Sequence, residues 1–134
     1  MSIETASVED FERALLTLRD DERPALQFDT ALRMLRWHYH HPEQTITADQ
    51  LAARMKWQRG SMATMTYGKL GQQISQYLGY EPPKRRHGDK KRQWWMALST
   101  SAEGQEADHD ADGDFRLVMR PNLRAALESM NWTR

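Results

Sequence analysis

The residues whose types and spacing suggest chemistry fall in one stretch, Thr45 to Leu78. In its second half Ser61, Met62, Thr64, Met65, Lys69, Gln72, Gln73 and Gln76 share one side of a helical pattern, and none is a carboxylate. Glutamine can meet an adenine edge with two hydrogen bonds, and lysine can meet phosphate or guanine. Methionine or threonine can meet a thymine methyl. A solvated helix face normally mixes both signs of charge, so a face without acid suits a polyanion better than bulk water. The competing reading is an ordinary surface helix that is poor in acid.

Two helices and a turn must position these residues. Thr47 is a cap with Gln50 reaching back to it, and Ala48, Leu51, Ala52 and Met55 follow at helical spacing. The pattern breaks at Trp57 to Gly60, where Gly60 is the expected turn residue and Ser61 the second cap. The second helix then runs to Leu78, with Ala63, Tyr67, Leu70, Ile74, Tyr77 and Leu78 facing a core and Gly79 closing it. Two helices joined by a short turn make a candidate helix-turn-helix, so nucleic acid is the first partner to test.

Other chemistries are weaker. Asp108-x-Asp110-x-Asp112-Gly113 opens like a calcium loop, but the twelfth position is Met119 where a bidentate glutamate is needed. His38, His40 and His41 project from different sides of a helix and read as surface or capping residues, so no metal site is expected. Gly68-Lys69-Leu70-Gly71 has the letters of a KH clamp but lies inside a helical pattern. Close packing of another helix on Gly68 and Gly71 explains it better. With no phosphate loop, nucleophile elbow or paired carboxylates, neither catalysis nor a cofactor is expected.

A chain of 134 residues without cysteine suggests one domain, with no disulfide framework and no thiolate zinc site. No signal peptide or membrane-spanning run is visible, so a cytoplasmic protein without a membrane partner is expected. The net charge of zero hides a separation: Arg33 to Arg92 holds 12 Lys or Arg against 4 Asp or Glu. The flanks are correspondingly acidic, and such asymmetry says more about partners than the sum does.

Along the chain, residues 1–23 read as an acidic N-terminal helix extension opened by Ser7, with Phe11, Ala14, Leu15 and Leu18 apolar. The domain itself is expected over residues 24–134. Pro24 is its first helical residue, and the helix continues to His40 before His41-Pro42 ends it. Thr45-Ile46-Thr47 is a stub strand. After Gly79 come an extended Tyr80-Glu81-Pro82-Pro83, a basic loop over 84–92, and a strand from Gln93 to Ser99. An acidic tip over 100–114 connects it to an antiparallel strand from Phe115 to Arg120, and Pro121 starts a last helix. Alternation puts Trp94, Met96 and Leu98 inward with Phe115, Leu117 and Met119. Trp95 then points outward beside Arg116, Val118 and Arg120, to stack on a base or sugar or to pack on the extra helices. The fold expected is mainly α with a small β-hairpin: a winged helix-turn-helix with an extra helix at each end.

ITADQLAARMKW, TYGKLGQQISQYLGYEPPK, the tryptophan strand and FRLVMRPNLRAALE together resemble a family of bacterial winged-helix domains. Members occur alone or fused to nuclease domains such as HNH, in modification-dependent restriction proteins. The resemblance spans Phe28 to Trp132 and is most specific at Tyr67-Gly68-x-Leu70-Gly71. It implies binding of double-stranded DNA carrying a modified base, with N6-methyladenine as the mark. No nuclease motif follows the domain, so a reader alone, a regulator or a piece of a larger nuclease is expected. An acidic tip is also atypical for a wing entering a groove. In such a reader Trp57, Met62, Met65 and Trp95 would supply apolar contact to the methyl group. Arg59, Lys69, Lys84, Arg85, Arg86, Lys90, Lys91 and Arg92 would position the phosphate backbone. The alternative is a protein-docking or dimerisation module that never touches DNA.

Overall fold

Ser7 caps the first helix, accepting from the Asp10 amide while the Asp10 carboxylate accepts from the Ser7 amide. The computed structural model describes residues 6–84, 92–101 and 115–134. Residues 102–114 of the acidic tip and the centre of the basic segment, including Arg85, Arg86, Lys90 and Lys91, lie outside the described residues. Thr100 and Ser101, expected in the tip, belong to a strand. The elements are α1 (Val8–Asp20), α2 (Phe28–His40), β1 (Thr45–Thr47), α3 (Ala48–Met55), α4 (Gly60–Leu78), β2 (Ser99–Ser101), β3 (Arg116–Met119) and α5 (Pro121–Ser129). The fold is mainly helical, with one small antiparallel sheet in the order β1-β3-β2. Thr45 pairs with Val118 and Thr47 with Arg116 on one side, while Ser99 pairs with Met119 on the other.

Three helices end alike. Lys56, Gly79 and Asn131 adopt left-handed conformations, and the amide of the next residue reaches back to the carbonyl five positions earlier. This geometry tucks Trp57 and Trp132 against the core, with the Trp132 ring 5.4 Å from that of Phe28. The turn between α3 and α4 therefore takes its left-handed residue from Lys56, and Gly60 is the first residue of α4 rather than the turn residue expected. Pro24 likewise precedes α2, which starts at Phe28.

The buried cluster draws on every helix, α1 included: Phe11 and Leu15 lie with Leu35, Leu51, Leu70, Ile74 and Leu127. Two departures from the expected strand reshape its centre. Trp94–Ala97 is a 3-10 turn, and the strand proper begins only at Ser99. In that turn Trp95 is buried, 7% exposed, with its ring edge-on to Phe115 at 5.3 Å. The outward Trp95 expected from alternation is thus corrected, because a period of two does not apply to a turn with three residues per revolution. Arg120, placed beside it, is also buried and donates from Nε to the Met96 carbonyl at 2.8 Å. The element packed on Gly71 is this turn, not a helix: a Cβ at Gly71 would collide with the Trp94 carbonyl, whereas one at Gly68 would meet nothing.

A polar chain crosses the core. The Nε2 of His38 lies 2.9 Å from the Leu117 carbonyl, which can only accept, so Nε2 carries the proton. Nδ1 then accepts from the Tyr67 hydroxyl at 3.2 Å, and that oxygen accepts in turn from the Ser99 hydroxyl. His38, Tyr67 and Ser99 are all buried. Burial pushes His38 down to about 4, against a partial opposing effect of the backbone acceptors of Leu117 and Gln44.

Gly71→Ala is expected to cost about 1–3 kcal/mol in urea unfolding. Gly68→Ala should stabilise by up to about 1 kcal/mol through helix propensity. His38 is neutral in the fold but titrates near 6.5 when unfolded. Its contribution is therefore complete above pH about 6.5 and is lost as pH falls toward about 4. The loss should reach about 3 kcal/mol, and a His38→Leu variant should lack that part of the pH dependence of unfolding.

Candidate nucleic-acid interface

Helix α3 is set by its Thr47–Gln50 capping box, with both reciprocal hydrogen bonds formed. Helix α4 has no side-chain cap from Arg59, its N-cap residue, and Ser61 lies inside the helix rather than capping it. The carboxylate of Asp49, on α3, stands against Gly60 at that end, where negative charge meets the positive end of the helix. Helix α4 buries Ala63, Tyr67, Leu70 and Ile74. Ser61, Met62, Met65, Lys69, Gln72 and Gln76 emerge on the opposite arc and are all exposed.

That arc has unusual contents. Met62 is 40% and Met65 61% exposed, although methionine is ordinarily a core residue. Among the described residues, the side chains of Arg59, Ser61, Lys69, Gln72 and Gln76 have no hydrogen-bond or ion-pair partner. Helix α4 itself contains no acid. Thr64 sits at the margin, half-buried, with its hydroxyl donating to the Gly60 carbonyl at 3.3 Å. Trp57 borders the helix start and is half-buried against the core. The arc offers donors, acceptors and two soft apolar surfaces along about 20 Å of helix, from the rise of 1.5 Å per residue.

Other expected members of the surface go elsewhere. Gln73 is 5% exposed and is a correction to the polar face. Its Oε1 accepts from the Leu26 amide at 3.3 Å, and its Nε2 donates to the Tyr77 hydroxyl at 2.9 Å. Tyr77 donates onward to Asp21 at 2.6 Å, which holds the Asp21 carboxyl below its usual range. Gln73 thereby fastens the chain between α1 and α2 onto α4. Trp95 is in the core, as described above. Arg116 is exposed on β3 opposite Thr47.

The ends of the basic segment are described. Lys84 and Arg92 form an antiparallel bridge; Lys84 is exposed, while Arg92 is half-buried. Arg92 donates to the Pro82 carbonyl at 2.8 Å and pairs with Glu81 at 3.3 Å. Two residues later the Trp94 carbonyl rests on Gly71. At 100° per residue, Gly71 and Lys69 lie about 160° apart around α4. The described residues thus bring Arg59, Ser61, Met62, Met65, Lys69 and Gln72 together, while Gly71, against which the Trp94 carbonyl rests, faces away from that arc.

His38 and Gln73 are the residues whose places the sequence concealed, since both polar groups are consumed by partners far along the chain. Gln73→Ala should destabilise by about 1–2 kcal/mol and Trp95→Ala by about 3 kcal/mol or more in urea unfolding. Met65→Ala, Lys69→Ala and Gln72→Ala should each stay within about 0.5 kcal/mol of the parent. Compared with known proteins, the chain matches no family model, no curated protein and no solved structure.

Proposed function

We propose that this chain is a winged helix-turn-helix reader of double-stranded DNA, with the exposed arc of α4 entering the major groove. The observation that carries the reading is the acid-free arc itself, in which Ser61, Lys69 and Gln72, without side-chain partners among the described residues, surround exposed Met62 and Met65. An α-helix fits the major groove, and these side chains supply base-edge hydrogen bonding with methyl contact. The succession α2, β1, α3, α4, β2, β3, with β3 between β1 and β2, supports the winged-helix assignment. Arg59 and Lys69 contact phosphate or guanine, while Met62 and Met65 suit a methyl-bearing base such as N6-methyladenine. The reader serves as the sensor of a restriction or regulatory system, with nuclease activity supplied by a partner or a fused domain. Two exposed methionines on an uncharged stretch also favour a second reading, a protein-docking face.

Gel shift with adenine-methylated and plain duplexes across a salt series separates the two. A reader gives a steep fall of affinity with salt and a preference for one duplex, and a docking face gives neither. Lys69→Ala should weaken both duplexes alike and reduce the salt slope by about 1, whereas Met65→Ala should erode the discrimination. Equal binding by parent and both variants would remove α4 as the contact.

A further inference from the structure

Helix α2 carries a second stripe besides its buried one. Arg33, Arg36, Trp37 and His40 recur at three- and four-residue steps on the side away from Ala31, Met34, Leu35 and His38. With Arg134 they wall a cleft of about 290 Å³. Ligand pockets run from about 300 to 1,000 Å³, so this one is matched to a small occupant. Its lining is mostly apolar, and the charged side chains around it are the guanidiniums of Arg33, Arg36 and Arg134. The indole of Trp37 is 38% exposed. Arg54 of α3 holds it with a guanidinium 5.3 Å from the ring centroid and is not itself a wall of the cleft.

Charge and pairing narrow the occupant. Arg33 has no hydrogen-bond or ion-pair partner among the described residues, even though Asp29 stands one turn before it on the helix. Among the described residues Arg36 is held by a single bond from Nε to the Trp132 carbonyl at 3.0 Å, with its terminal nitrogens uncommitted. Guanidiniums gathered around an open aromatic surface repel one another until an anion neutralises them. An arginine fork matches phosphate bidentately, and a tryptophan face matches a planar ring. We infer that this cleft binds a nucleotide: its ring stacks on Trp37 and its phosphate is held by Arg33 and Arg36.

The cleft is separate from the α4 arc. On α3, Asp49 faces the start of α4 and Arg54 faces Trp37, about 140° apart around that helix at 100° per residue. The inference therefore stands or falls independently of DNA reading by α4.

Isothermal titration of the full chain with adenosine 5′-monophosphate tests it, alongside adenosine, inorganic phosphate, and a short single strand with and without a 5′-phosphate. The expected result is one site, with the monophosphate binding at least tenfold tighter than adenosine or phosphate. Arg33→Gln should weaken the monophosphate about tenfold and leave adenosine unchanged, while Trp37→Leu should weaken both. Lys69→Ala should change none of these. Tighter binding of the 5′-phosphorylated strand than of the free nucleotide assigns the cleft to strand ends, and the reverse assigns it to free nucleotides. Thermal melting checks that each variant is folded, and Arg33→Gln alters only an exposed side chain with no partner among the described residues. The inference is overturned by no binding of any nucleotide, by phosphate alone binding as well as the monophosphate, by affinity that survives both cleft variants, or by loss on Lys69→Ala.

Discussion

Four polar groups, the Ser99 hydroxyl, the Tyr67 hydroxyl, the His38 imidazole and the Leu117 carbonyl, form one chain through an otherwise apolar interior. Each belongs to a different element: β2, α4, α2 and β3. An unpaired polar group in such a place is costly, so the four elements cannot slide independently without breaking a bond in a low-dielectric setting. Tyr67 also fixes the roll of α4. Met65 lies two residues earlier, about 160° around the helix, so pinning Tyr67 inward turns Met65 outward. The exposed arc of α4 and the packing of the sheet are thus two results of one constraint.

Helix α3 acts as a partition. One flank meets the start of α4 through Asp49, and the other meets α2 through Arg54. On either side of it lies a surface that combines exposed apolar or aromatic groups with cations. On the α4 side the apolar groups are methionines and the polar groups are amides and a hydroxyl, which suits base edges. On the α2 side the apolar group is an indole and the polar groups are guanidiniums, which suits a phosphorylated ring. Both surfaces depend on helix stripes that run beside the buried ones, so neither costs the core any apolar contact.

Much of this was legible locally. The Thr47–Gln50 capping box, the left-handed Gly79, the three-residue β1 and the final helix from Pro121 all follow from residue types within a few positions of one another. The buried stripe of α4 followed from spacing alone. What escaped depends on distant partners. Gln73 looks like a surface glutamine until the Leu26 amide, 47 positions away, claims its oxygen. His38 looks like a helix-surface histidine until the Leu117 carbonyl, 79 positions on, gives it a reason to be inside. Trp95 was misplaced for a different cause. An aromatic run with apolar neighbours reads as strand, and nothing local announces that the glycine at position 71 admits a tight turn instead.

The brevity of the sheet has one more effect. Among the described residues its two outer strands, β1 and β2, are three residues each, and each gives its ladder to the shared central strand β3. Edges so short provide too few open amides and carbonyls to template the addition of another chain. Self-association through the described strand edges is therefore disfavoured.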